Sequence, residues 1–146
     1  MDEFDASFGP SMRRTALAAA LLALMLSACG AAPASQESKF TNGDQQAVAK
    51  LVDDLAAAGS KGDAAKICNQ ILAKELVDEL KSAGGDCVAE MKRAITDASD
   101  YDLQVDDVKV SGSTATARVR QGKTKKVATF SFIKEKGGWR ASALGS

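Results

Sequence analysis

From Thr41 onward, apolar residues return every three or four positions; past residue 102 they return every second position. The first period predicts helices. Val48, Leu51, Val52 and Leu55 form one apolar stripe, with Thr41 and Asp44 placed for a capping-box start. The stretch "AGSKGD" (58–63) closes that helix, and Asp63 is placed to cap the next. The second helix is expected to carry Ile67, Cys68, Ile71, Leu72, Leu76 and Leu80 on one stripe until "SAGGD" (82–86) breaks it. Asp86 then caps a third helix, whose Val88, Met91 and Ile95 face inward.

The second period predicts strands. Residues 103–146 alternate, with turn signals at Ser111-Gly112-Ser113, Gln121-Gly122-Lys123 and Gly137-Gly138. Ala115, Ala117, Val119, Ala128, Phe130, Phe132, Trp139, Ala141 and Ala143 fall on one face of an antiparallel meander. Thr116, Arg118, Arg120, Thr129, Ser131, Arg140 and Ser142 fall on the other. Adjacent Asp106 and Asp107 interrupt the first strand, where a bend or bulge is expected. Three N-terminal helices followed by about four strands argue for a two-layer α+β domain over residues 41–146, with the apolar sheet face meeting the helices.

Ahead of this domain the pattern is of another kind. Arg13 and Arg14 precede the unbroken apolar run Thr15–Ala28. At 1.5 Å per residue that run spans roughly 21 Å, short of the ~30 Å hydrocarbon core. A basic segment, a short apolar run and small residues at its end describe a secretory signal peptide over residues 1–28. Three acidic residues precede the arginines, where such signals avoid them, so Met12 is the expected translation start. The paired arginines suggest a twin-arginine signal, but their flanks match it poorly. Residues 29–40 are poor in large apolar side chains and read as a flexible tether with an r.m.s. reach of roughly 20 Å.

The run ends in Leu26-Ser27-Ala28-Cys29-Gly30, which resembles the bacterial lipobox: a leucine, two small residues, then the lipidated cysteine. The resemblance implies cleavage before Cys29 and diacylglycerol on its sulfur, with acylation such as palmitate. The expected location is the extracytoplasmic face of the cell membrane, with the membrane itself as partner through the Cys29 lipid.

Charge changes the picture only when divided. The chain carries 19 basic and 19 acidic residues and no histidine. Residues 44–107 hold fourteen acidic and seven basic side chains, and residues 108–146 hold one acidic and nine basic. An acidic helical half thus faces a basic sheet half. The absence of histidine removes the commonest general base and the commonest metal ligand together.

The remaining cysteines, Cys68 and Cys87, lie in the second helix and the first turn of the third. In an exported chain they are expected to pair, closing a loop of about 20 residues that stabilises by ~3 kcal/mol in the chain-entropy model. Two buried free thiols are the alternative. Cys68 lies several turns from the connecting loop, so pairing requires the chain to fold back. The spacing fits neither a redox C-x-x-C motif nor a metal site.

"GDAAKIC" (62–68), the cysteine pair, "VKVSGSTATARV" (108–119) and "FSFIKEKGGWRAS" (130–142) together resemble lipoproteins of the nuclear-transport-factor-2-like superfamily, the SnoaL-like or cystatin-like cone folds. The resemblance covers about residues 44–144 and implies a curved sheet wrapped around helices, with a mouth that binds small ligands in many relatives. Relatives include isomerases and dehydratases as well as non-enzymatic modules, so fold alone supplies no activity.

Enzymatic relatives use a Tyr/Asp or His/Asp pair, yet the single tyrosine, Tyr101, adjoins Asp102 at a helix-to-strand junction, where neighbours point apart. A packing role is the ordinary expectation for it, and neither catalytic residue nor cofactor is expected. Asp97, Asp100, Asp102, Asp106 and Asp107 lack the glycine-turned spacing of a calcium loop and read as a solvated edge, with no metal. Arg118, Arg120, Lys123, Lys125 and Lys126 cluster on one hairpin without interleaved aromatics, which argues against nucleic acid. They are either a solvated face or, for Arg118, Arg120 and Lys123, a contact with anionic headgroups. Leu72, Leu76, Met91, Phe130, Phe132 and Trp139 are the candidate lining of an apolar cavity, against which close packing competes. The expected function is a non-enzymatic binding or interaction module of the cell envelope, with an envelope protein as partner. The alternative is a carrier or sensor of a small apolar ligand.

Overall fold

The computed structural model describes residues 39–98 and 100–145. They form an α+β unit of four helical segments followed by a four-stranded antiparallel meander in the order β1-β2-β3-β4.

Helix α1 runs from Gly43 to Ser60. Its cap is Asn42, whose side-chain oxygen accepts from the Asp44 N–H at 2.9 Å, in place of the expected Thr41 box. Val48, Ala49 and Val52 are wholly buried, and Leu51 and Leu55 pack beside them half-buried. Asp63 caps the short α2, Ala64–Lys66, through the Lys66 N–H. The chain then widens into a π-helical turn, Ile67–Ile71, closed by a bond from the Leu72 N–H to the Ile67 carbonyl.

Here the expected second helix divides. Leu72 and Ala73 are extended, and α3 begins afresh at Lys74 and ends at Ser82. The cause is tertiary. Leu72 pairs in parallel with Ala141 of β4, and the Ala73 N–H donates to the Ala141 carbonyl at 2.8 Å. A one-bond extension of the sheet thus outcompetes continuation of the helix. Helix α4, Cys87–Asp97, is capped by Asp86, which accepts from the Ala89 N–H at 2.8 Å.

Strands β1 (Leu103–Ser111), β2 (Thr114–Gln121), β3 (Lys126–Glu135) and β4 (Gly138–Leu144) bury the expected alternate positions from Ala115 to Ala141. The register shifts between Val105 and Asp107, so β1 bulges at its aspartates and buries both Val105 and Val108. A second shift was not legible. Phe132 pairs with Ala141 but Ser131 pairs with Ala143, which leaves Ser142 as the extra residue. That slip turns Ala143, expected inward, onto the exposed face and brings Leu144 opposite Phe130.

Both sheet edges are covered. Leu72 and Ala73 lie along β4; on β1 the Gln45 side chain donates to the Val108 carbonyl at 2.8 Å. Lys39 donates to the carbonyls of Val105 and Asp106 at 2.9 and 3.1 Å. Such cover blocks edge-to-edge pairing. The helices pack on one face of the sheet, and the other face stays open.

Candidate functional site

The residues expected to line a cavity belong to the packed core. Leu72, Phe130, Phe132 and Trp139 are buried there, and Leu76 and Met91 pack half-buried against the same cluster. Trp139 is also tied at its polar end. Its indole N–H donates to Asp44 Oδ1 at 2.9 Å, and the Lys134 ammonium reaches the same oxygen at 2.8 Å while lying 5.5 Å from the indole ring. The Lys134 and Trp139 donors hold the Asp44 carboxyl below the usual carboxylate range. This clamp fastens the first turn of α1 to β3 and β4, and nothing in the sequence joined residues so far apart.

Tyr101 is committed to structure. Its ring lies against Gly59, where an added Cβ would stand 2.5 Å from the tyrosine Cδ1, and its hydroxyl donates to the Ile95 carbonyl. The aspartate stretch is likewise occupied in part. Asp100 accepts from the N–H groups of Asp102 and Lys123 at 2.9 and 3.0 Å, and these bonds, aided by the Lys123 and Lys125 charges, lower its pKa. Asp106 pairs with Arg120 at 2.6 Å. Among the described residues no group of three or more acidic, cysteine or histidine side chains is arranged to hold a metal ion.

What remains for partners is the open sheet face and one of its ends. The register sets Lys109 opposite Thr116, Arg118 opposite Asp107 and Thr129, and Arg120 opposite Val127. Arg118 is exposed, while Arg120 is half-buried by its bond to Asp106. Beyond them the β2–β3 turn carries Lys123 and Lys125, and Lys126 opens β3, all three exposed. The turn is pinned by the Asp100 bond to Lys123 and by the Gly122 N–H donating to the Asp102 carbonyl at 2.8 Å. Arg118, Arg120 and Lys123 therefore share one corner. Lys39 joins it through its bonds at the β1 bulge, a neighbour not foreseen because residues up to 40 read as tether.

Cys68 and Cys87 are joined by a disulfide, with Cα atoms 6.1 Å apart. The break at Leu72–Ala73 supplies the fold-back that this bond requires. The expected signal peptide, the expected lipidation site Cys29 and the expected tether up to residue 38 lie outside the described residues. No helix among the described residues is long and apolar enough to cross a membrane. Comparison with known proteins returns no match: no protein-family model, no curated protein and no solved structure is significantly similar to the chain.

Proposed function

We propose that this chain is a lipid-anchored, non-enzymatic interaction module of the cell envelope, fixed through Cys29 to the extracytoplasmic face of the cell membrane. The observation that carries the proposal is the division of the domain into a filled side and an offered side. The side chains that would line a ligand cavity serve the core, and the tyrosine that would serve catalysis serves packing. The sheet turns its other face, polar and basic, to solvent. The Cys68–Cys87 bond agrees with an oxidising compartment. Kinship with the nuclear-transport-factor-2-like cone folds is part of the same proposal and rests on the sequence resemblance alone.

The test is intact and native mass spectrometry of the chain extracted from its host's membranes. The expected result is a mature chain beginning at an acylated Cys29, with one disulfide and no retained small molecule. A mature chain that keeps Cys29 as a free thiol overturns the anchor. A stoichiometric apolar ligand replaces the interaction module with the carrier or sensor.

A further inference from the structure

The point where the tether meets the fold is informative about which way the domain faces. Lys39 sits at the β1 bulge, bonded to the carbonyls of Val105 and Asp106. Val105 pairs with Val119, and Leu103 pairs with Gln121, so this is the end of the sheet that bears the β2–β3 turn. Asp106 holds Arg120 from the same bulge. The Lys39 ammonium and the basic turn therefore lie toward the same end of the sheet. Nine residues lie between Cys29 and Lys39 in the sequence.

Asp100, Asp102, Asp106 and Asp107 offset part of the charge at that end, but Lys39, Arg118, Arg120, Lys123, Lys125 and Lys126 outnumber them and leave it net positive. Asp106 is engaged by Arg120, and the two carboxylate oxygens of Asp100 accept backbone N–H groups. Among the described residues Arg118, Lys123, Lys125 and Lys126 make no ion pair, and all four are exposed. Lys125 also holds a left-handed backbone, φ 57°, which a glycine or asparagine adopts at lower cost.

We propose that this corner, with Arg118, Lys123, Lys125 and Lys126 at its tip, docks on the anionic phospholipid headgroups of the membrane that holds the chain, setting the domain sheet-end down. The proposal rests on the Cys29 anchor, which brings the corner within reach of the surface. Cations so placed gain from the negative surface potential, and the gains accumulate over neighbouring residues. The acidic helical layer, including α3 with Glu75, Asp78 and Glu79, is repelled by the same surface.

The test uses the full lipidated chain reconstituted into phosphatidylcholine vesicles with and without phosphatidylglycerol. Flotation reads the anchor, and lysine acetylation by an uncharged reagent, followed residue by residue, reads the corner. Flotation is expected with both vesicles. Acetylation of Lys123, Lys125 and Lys126 is expected to slow several-fold only with phosphatidylglycerol and to recover in high salt. Lys61 and Lys81, on the helical layer, are the internal controls and should react equally in both. The double variant Arg118→Glu, Lys123→Glu should float normally yet lose the protection at Lys125 and Lys126, with an unchanged circular dichroism spectrum. Equal acetylation in both vesicle types overturns the docking while leaving the anchor standing. Failure to float with neutral vesicles overturns the anchor and the docking with it. Protection by soluble polyphosphate but not by phosphatidylglycerol overturns the lipid assignment in favour of an anionic polymer.

Discussion

Gly59 illustrates how one residue without a side chain sets a junction. It lies in the last turn of α1, where alanine would ordinarily gain roughly 1 kcal/mol in helix propensity. Yet a Cβ there meets the Tyr101 ring at 2.5 and 2.9 Å, and that ring is held from behind by its bond to the Ile95 carbonyl. The clash outweighs the propensity. Gly59→Ala is expected to lose about 1–3 kcal/mol in urea denaturation, and Tyr101→Leu in the same chain to recover part of it. A stabilised Gly59→Ala would show that the ring moves freely. Asp44 carries the second residue-scale expectation. Because Lys134 and Trp139 depress its pKa, the folded chain holds this proton less tightly than the unfolded one. The stability it supplies is complete above the ordinary carboxylate range of about 4 and drains away as pH falls through and below it. Asp78, depressed by its bond to Lys74, and Asp100, depressed by the Asp102 and Lys123 amides, shift in the same direction. Acid titrations of Asp44→Asn should therefore show a less stable chain at neutral pH with a shallower acid limb. An unaltered limb would assign the acid sensitivity to the other two carboxyls.

At the scale of elements, legibility followed the reach of the deciding contact. Alternation along β2 and β3 was readable because one sheet face is buried throughout, from Ala115 to Phe132, and the Asp106-Asp107 pair announced its own bulge. The slip at Ser142 had no local mark, since "WRASAL" alternates equally well in either register, and so Ala143 was placed on the wrong face. The second helix failed for a comparable reason. Residues 64–80 keep a helical stripe through Leu72, while the decision to break lies in a carbonyl 68 positions beyond Ala73, on Ala141. That attribution can be tested against the alternative that Ala73 is simply a poor helix position. Ala73 has φ −64°, which proline adopts without strain. Ala73→Pro would nevertheless remove the N–H that bonds Ala141 and leave a buried carbonyl unpaired. A loss of about 1–3 kcal/mol is expected. A neutral or stabilised variant would mean that backbone geometry alone, and not sheet pairing, divides α2 from α3.

For the whole molecule, the break and the disulfide belong to one argument. On a continuous second helix Cys68 would lie several turns from the loop leading to Cys87, so the pairing expected from sequence carried a geometric objection. The extended pair Leu72–Ala73 removes the objection, because α3 restarts on a new axis and returns the chain to the π-helical turn. Nothing in α3 is fully buried, and of α4 only Cys87 is. Both helices thus contribute half-buried residues to a core built mainly by α1, the π-helical turn and the sheet. A layer held this lightly depends on its covalent link more than on its own packing. The bond spans 19 residues, worth about 3 kcal/mol as constraint on the unfolded chain, against a total of 5–15 kcal/mol for ordinary domains. Reduction, or paired Cys68→Ala and Cys87→Ala substitution, is expected to lower the thermal midpoint by roughly 10–20 °C. Amide exchange in the reduced chain should quicken first along Lys74–Asp97, while Val52, Val119 and Phe132 keep their protection. A drop of only a few degrees, with exchange in α3 and α4 unchanged, would show that the half-buried faces of Leu76, Leu80, Met91 and Ile95 suffice to seat both helices without the bond.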